Sequence, residues 1–333
     1  MNNSPFVSII IPCRNEEIFI GKCIESIVSN DYPKGKLEVL LIDGLSDDKT
    51  RPIINKYTQQ YQFIHLLDNP KKIVPPALNI GVANAKGEII IRMDAHTTYA
   101  EDYVTKCVES LQKYDAGNVG GIWVTTPGSD TVMAKSIALT LSHPFGVGNS
   151  YFRIGLQEPT YVDTVPFGCY KKEVIERVGL FNENLIRNQD IEFNLRLKKM
   201  GYKILLVPEI VSYYHARTTL NSLAKNNFAN GYWVIYSSKF AKLPFSLRHL
   251  VPLFFVCFLF VTLITSFLFA PSFYVFSLVF AVYLMVGMFC SFKLSIKNGL
   301  GCFSRIILTF FTLHVSYGLG SLFGIFKLLT GKK

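Results

Sequence analysis

FVSIIIPCRNEEIFIGKCIESIVSN, residues 6–30, changes rhythm halfway, and that change decides the fold. The first half is a short, continuous apolar run rich in β-branched residues, the pattern of a strand buried on both faces. After the polar Arg14-Asn15-Glu16-Glu17 the apolar positions become Ile20, Cys23, Ile24, Ile27 and Val28. That spacing marks one face of a helix, with Asn15 as its expected cap. The same order recurs in LEVLLID followed by GLSDDKTRPIINKYTQQY (residues 37–61), and again in FIHLLD, PPALNIGVANAK and GEIIIRMD (residues 63–94). Strands alternating with helices predict an α/β layer with a largely parallel sheet, in which ligands sit beyond the carboxyl ends of the strands. Asp43 and Asp94 both fall at such ends.

Working outward, the 333-residue chain is 50% hydrophobic and 17% charged, with a formal net charge of +10. All 24 acidic residues precede residue 210, where 23 basic residues nearly balance them, so the excess comes from 11 Lys and Arg scattered through an acid-free tail. Charges so thin among long apolar runs point to a membrane and away from nucleic acid. Residues 251–270, 272–292 and 306–326 contain no Asp, Glu, Lys or Arg. At about 1.5 Å per residue each is long enough for a hydrocarbon core roughly 30 Å thick. No secretory signal is expected at the N-terminus, because the apolar run at residues 6–13 meets Arg14 and two glutamates at once.

The expected organisation is a cytosolic first domain, residues 1–240, and a membrane domain, residues 241–333, with about three spans. The protein would then be multi-pass in the inner (cytoplasmic) membrane. Lys239, Lys242 and Arg248 before the first run, and Lys293, Lys297 and Arg305 before the third, favour the cytosolic side. Three crossings would leave Lys327, Lys332 and Lys333 outside, against that rule. The last run, interrupted by Gly318, Gly320 and Gly324, is therefore open to a re-entrant or interfacial reading. Seven cysteines without CxxC spacing suggest neither a disulfide framework nor a zinc site.

Candidate chemistry sits in three segments. Asp94 and His96 flank a small residue on an extended chain, so both can point to one side and offer an oxygen and a nitrogen to a divalent cation. The imidazole favours Mn²⁺ over Mg²⁺. Asp94 can equally form a turn that leads into the helix expected near Glu101. Asp190 stands ahead of a helix with Ile191, Leu195 and Met200 expected inward and Arg196, Lys198 and Lys199 outward; its carboxylate can act as a general base on a hydroxyl, or cap that helix. TTLNSLAKNNFANGYWVIYSSKFAKL (residues 218–243) mixes Phe228, Tyr232, Trp233, Tyr236 and Phe240 with Lys225, Lys239 and Lys242 and has no acid. It suits either the headgroup layer or a helix packed beneath the first domain.

Taken together, VSIIIPCRNEE, LLIDGLSDDKT, ALNIGVANAKGEIIIRMDAH, GCYKKEVIERVGLFNENL and NQDIEFNLRLKKMGY, in that order across residues 6–240, resemble the family 2 glycosyltransferases of the GT-A fold, a Rossmann-like nucleotide-diphospho-sugar transferase fold. The DAH and NQD triplets resemble the bacterial exopolysaccharide branch of succinoglycan type. The resemblance implies that Pro12, Cys13, Arg14 and Glu16 lie in a loop around the uridine and that Asp43 accepts a hydrogen bond from the uracil. It implies Asn79 on a helix of the nucleotide side, Asp94 near ribose and cation, His96 as a direct metal ligand and Asp190 as catalytic base. It further implies His215 as a candidate third ligand, the alternative being a packing histidine, and Arg217 as a contact to a diphosphate or lipid phosphate, the alternative being a solvated arginine; Ala216 replaces the proline of related enzymes. The QxxRW signature of processive synthases is absent, which implies one sugar per encounter.

The implied reaction is a single inverting displacement on a UDP-sugar. A divalent cation, Mn²⁺ or Mg²⁺, neutralises the leaving diphosphate, and a base deprotonates the acceptor hydroxyl without any enzyme nucleophile. The expected acceptor is a glycan on a polyprenyl diphosphate carrier, used in exopolysaccharide or cell-surface polysaccharide synthesis. Two rivals stay open on the sequence: a polyprenyl-phosphate glycosyltransferase, in which the lipid phosphate is the nucleophile, and a noncatalytic membrane scaffold with a nucleotide-sugar fold.

Overall fold

The computed structural model describes residues 4–240 and 247–331. Lys242, Lys332 and Lys333 therefore lie outside the described residues. The chain begins with the expected alternation: β1 (Val7–Cys13), α1 (Ile20–Val28), β2 (Leu37–Asp43), α2 (Thr50–Gln60), β3 (Ile64–Asp68), α3 (Val74–Asn84) and β4 (Ile89–Arg92). Then come β5 (Thr97–Tyr99), α4 (Tyr103–Lys113), β6 (Asn118–Thr126), α5 (Val132–Leu141), α6 (Pro144–Val147), α7 (Tyr151–Ile154), β7 (Thr160–Tyr161), β8 (Cys169–Lys171), α8 (Lys172–Val178), α9 (Gln189–Lys199) and β9 (Ile204–His215). The apolar tail forms α10 (Leu220–Tyr236), α11 (Leu247–Thr265), α12 (Pro271–Asn298) and α13 (Phe303–Thr330).

Contacts divide the chain into two compact units, Met1–Val124 with Gly155–Tyr214, and Thr125–Ile154 with His215–Lys333. Among the described residues the sheet runs β3-β2-β1-β4-β8-β6-β9-β5, with β7 on β9. Its first four strands are parallel, with Val7–Cys13 opposite Leu37–Asp43 residue by residue, and all of β1 and β2 is buried. The continuous apolar runs are explained by that double burial. Beyond β4 the order turns antiparallel: β8 pairs with β4 and β6, and β9 pairs with β5 and β7. A largely parallel sheet thus describes only half of it. Gly121 permits the tight part of this half, since a Cβ there would fall 1.9 Å from the Ile210 carbonyl oxygen.

Two local expectations change. α1 starts at Ile20, not directly behind Asn15, because Asn15 adopts φ 54 and its side chain accepts a hydrogen bond from Asp47 N at 3.1 Å. In α9 the buried apolar residues are Phe193 and Leu197, while Met200 is 52% exposed.

The second unit takes in segments on both sides of residue 240. α10 packs along α13, and α5 and α6 pack on α13 as well. Small residues make this possible. A Cβ on Gly231 would lie 2.1 Å from Tyr317 O, one on Gly320 2.0 Å from Phe228 O, and one on Gly318 2.4 Å from Pro252 O. The glycines of the third apolar run are therefore points of close helix approach inside one continuous 28-residue helix, not interruptions of it. Three helices, within Arg248–Thr265, Pro271–Asn298 and Leu300–Thr330, are long and apolar enough to cross a membrane by length and composition.

Candidate active site

The carboxyl ends of β1 and β2 lie side by side, and the loops that leave them are laced together. Asn15 N donates to Ser46 Oγ (2.9 Å), Glu16 N to Thr50 Oγ1 (2.7 Å) and Lys49 N to Glu17 Oε2 (3.0 Å). Gly44 leaves room for Arg14, whose side-chain carbons would lie 3.1–3.3 Å from a Cβ at that position. Pro12 and Cys13 are still strand, paired with Ile42 and Asp43, so of the four residues expected in this loop only Arg14 and Glu16 stand in it. Burial pushes the Cys13 thiol well above its usual range, and the charge of Asp43 adds to that rise, which keeps the sulfur protonated and unsuited as a nucleophile.

Asp43 is fully buried and already well bonded. Its Oδ2 accepts from Arg51 Nη1 (2.7 Å) and Ser46 N (3.0 Å), and its Oδ1 accepts from the Ser46 hydroxyl. A carboxylate offers about four lone-pair sites. Three of them are taken by these bonds.

At the end of β4 the backbone of Asp94 is clamped: its N–H donates to Tyr99 Oη (2.7 Å) and its carbonyl accepts from the same hydroxyl (3.2 Å). The carboxylate, a quarter exposed, accepts from Arg92 Nη2 at 3.2 Å. Arg92 is buried, and its Nε and Nη1 have no hydrogen-bond partner among the described residues. Burial pulls the guanidinium pKa down while the charges of Asp94 and Asp190 push it up, and the net shift is upward. Arg92 is thus ion-paired with Asp94, and the charge of Asp190, from a separate segment, also acts on it. His96 sits 3.4 Å from Glu16 Oε1 through Nδ1 and turns its ring edge to Tyr214.

Asp190 occupies the first turn of α9, where its Oδ1 accepts from Ile191 N (2.9 Å) and where a helix N-terminus favours negative charge. Arg196, expected to point outward, instead bonds Glu192 and the carbonyls of Val178, Gly179 and Leu180. Asn79 uses both amide hydrogens, on Phe181 O and Glu183 Oε1, and its Oδ1 accepts from Phe181 N. It pins the segment that leads to Asp190.

His215 and Arg217 fall in the second compact unit. His215 Nδ1 lies 3.0 Å from Thr126 Oγ1, and Arg217 is exposed. Among the described residues no three His, Cys, Asp or Glu side chains gather to hold a cation by themselves. The donor types fit a cation shared with a substrate: Asp94 and His96 would offer it a carboxylate and an imidazole, and it would supply positive charge to a bound phosphate.

Sequence reasoning singled out neither Arg92 nor Tyr99. A charge closing the buried run IIIR, directly before the Asp94 segment, was the available signal for Arg92; nothing in the local pattern marked Tyr99.

Comparison with known proteins bears on this arrangement. The family described as Glycosyl transferase family 2 matches residues 8–179, which ends ahead of Asp190. A protein of Methanococcus voltae named dolichyl N-acetyl-alpha-D-glucosaminyl phosphate 3-beta-D-2,3-diacetamido-2,3-dideoxy-beta-D-glucuronosyltransferase is 31% identical over 94% of this chain and 95% of its own. The succinoglycan biosynthesis protein ExoA of Rhizobium meliloti is 32% identical over 67% of each chain. Among solved structures, the mannosyltransferase PcManGT of Pyrobaculum calidifontis, in complex with GDP-Man and Mn²⁺, superposes with a TM-score of 0.63 over 98% of this chain and 88% of its own at 18% identity. That likeness supports the GT-A fold.

Proposed function

The chain belongs to glycosyl transferase family 2 and is a glycosyltransferase that uses a nucleotide sugar, and on that footing we propose an inverting, metal-dependent enzyme that transfers one sugar from a UDP-sugar to a lipid-linked glycan of a cell-surface polysaccharide. The observation that carries this reading is the carboxylate of Asp94 at the end of β4, held 3.2 Å from the buried Arg92, on which the charge of Asp190 also acts. In this reading Asp190 accepts the proton of the acceptor hydroxyl. The acceptor oxygen then bonds the anomeric carbon from the face opposite the diphosphate, the carbon–phosphate oxygen bond breaks, and the nucleoside diphosphate leaves with that electron pair. Asp94 and His96, with His215 as a further candidate, would hold the cation, which supplies positive charge to the leaving diphosphate. Arg14, Glu16 and Asp43 would hold the nucleoside, and Arg217 would meet a phosphate.

The named acceptor of the Methanococcus voltae relative already carries a sugar on a dolichyl phosphate. This supports glycan extension over transfer to a bare lipid phosphate. The detergent-solubilised full chain should release UDP from at least one of a panel of UDP-sugars when given a lipid-linked glycan, and EDTA should stop it. No release from any sugar would end the reading, and release of GDP from GDP-mannose alone would end the UDP assignment.

If His96 is a ligand, His96→Ala should raise the Mn²⁺ concentration for half-maximal rate by at least the roughly tenfold seen when a ligand's own supporting partner is lost. An unchanged metal titration would return His96 to its contact with Glu16.

The acceptor side has its own test. On α10 the rings of Tyr232, Trp233 and Tyr236 form one cluster, Phe240 adds to it, and Lys239 Nζ lies 5.7 Å from the Tyr236 ring centroid. Rings with a cation at their edge suit a headgroup layer. Lys239→Glu or Trp233→Ala is expected to weaken transfer to lipid-linked acceptor while sparing slow hydrolysis of the UDP-sugar. Equal loss of both activities would mean damaged folding instead.

A further inference from the structure

We infer that α13 is not a third span: it lies across the α11–α12 hairpin on the side that carries the basic helix ends, and its last turn at Thr330 returns to that same side. Three apolar helices of sufficient length would ordinarily be read as three crossings. The contacts of α13 begin as a crossing would, with Phe303 beside Phe292 and with Ile306 and Phe310 packed with Cys290 and Leu294, but they do not continue as one beyond Phe311.

The hairpin supplies a ruler. Its tip lies between Thr265, where α11 ends, and Pro271, where α12 begins, and each residue away from the tip adds about 1.5 Å of depth. Phe311 of α13 meets Phe280 and Tyr283, His314 meets Tyr283, and Gly318 meets Pro252 and Val256. All four hairpin residues fall in one band, about 13–20 Å from the tip by that rise. A helix running beside the hairpin would change level by about 10 Å between Phe311 and Gly318. Level is instead kept, so α13 passes across the hairpin there.

What lies next along α13 points the same way. Gly320 and Gly324 sit against Phe228, Tyr232 and Ile235 of α10. In a crossing that started at Phe303, those glycines would stand about 25 and 32 Å above the basic face, at the far side of the bilayer. α10 carries Asn221, Lys225, Asn226, Asn227 and Asn230, side chains that hydrocarbon disfavours, and it precedes the basic stretch at Lys239. Its place is the near side.

One face of α13 is left for lipid. Leu308, Leu319, Phe323 and Phe326 are exposed and, at about 100° per residue, lie within roughly 60° of one another. The opposite face buries Phe310, Leu313, Gly320, Ser321 and Gly324. The lipid of the near leaflet covers the exposed stripe, continuous with the apolar surface of the hairpin. The arrangement also eases the charge conflict, because Lys327 then shares a side with Arg248 and Arg305. It has a consequence for the arm formed by α5 and α6. Leu139 packs on the α13 cluster of Cys302, Ile306 and Phe310, Phe145 packs on Phe310, and His314 Nε2 lies 2.9 Å from Phe145 O, so the arm is held at lipid level.

The test is an epitope tag after Lys333 of the full chain, with a second tag at the Phe269 turn. Trypsin is added to sealed spheroplasts and, separately, to inverted membrane vesicles. The C-terminal tag should survive in spheroplasts and be lost from inverted vesicles, while the turn tag shows the reverse. Loss of the C-terminal tag from sealed spheroplasts, or both tags digested from one side, would overturn the inference. Neither result depends on which sugar or acceptor the enzyme uses, so failure here leaves the transfer reaction to its own assay.

Discussion

Asp190→Asn is expected to lower transfer by at least the roughly 10²-fold typical of a lost general base, with nucleotide-sugar binding and thermal midpoint kept. The substitution separates the two roles open to this residue. Asp190 Oδ1 accepts from Ile191 N in the first turn of α9, and the amide oxygen of asparagine can accept the same bond. Asparagine serves about as well as aspartate at a helix start. A residue that only caps α9 would therefore tolerate the change. What asparagine cannot do is take a proton from the acceptor hydroxyl. Initial rates with saturating donor, beside a binding titration of the UDP-sugar, read the two properties apart. Turnover close to wild type would remove Asp190 from the chemistry, and joint loss of binding and stability would assign it to the structure of the loop.

The parts of the molecule that the sequence exposes are those ruled by short periods. β1, β2 and β4 are apolar without a break because both faces are covered, and Asp43 and Asp94 stand at strand ends because the runs stop there. The antiparallel half was hidden. β5, β7 and β8 are only two or three residues long, too short to carry a period, and their place is set by partners distant in the chain, as when Cys169 meets Ile91 and Val119. Glycines misled for a related reason. Gly318, Gly320 and Gly324 look like weak points in an apolar run, whereas each answers a backbone or side chain that approaches from another helix. Composition records that a glycine is present and not what presses on it. Asn79 is similar: its place on a helix was readable, but its bonds to Phe181 and Glu183, about a hundred residues on, were not.

Arg92→Met should leave the thermal midpoint unchanged or raised and yet reduce transfer, by about the 10- to 100-fold that follows loss of a residue supporting a ligand. The two expectations pull apart because Arg92 is a poor stabilising residue. It is buried, two of its nitrogens have no hydrogen-bond partner among the described residues, and its one ion-pair bond, to Asp94, is 3.2 Å long. Burying an ion under such incomplete pairing is unfavourable, and replacing a whole buried pair with apolar residues is often neutral or stabilising by roughly 1–4 kcal/mol, whereas removing one partner is costly only where the other stays buried and uncompensated. Asp94, a quarter exposed, can be hydrated once the guanidinium is gone. The loss falls on function, since Asp94 would no longer be oriented and Asp190 would lose a counter-charge beside it. Arg92→Lys separates charge from geometry: the ammonium keeps the field but not the planar fork, so partial activity is expected. Thermal melts and initial rates on the same preparations suffice. A midpoint that falls by several degrees in Arg92→Met would make the arginine a structural pillar, and full activity in that variant would leave the buried charge without a role in the reaction. A buried arginine that adds little to the fold and is needed for transfer is the combination expected of a residue that orients Asp94 and supplies positive charge felt by Asp190.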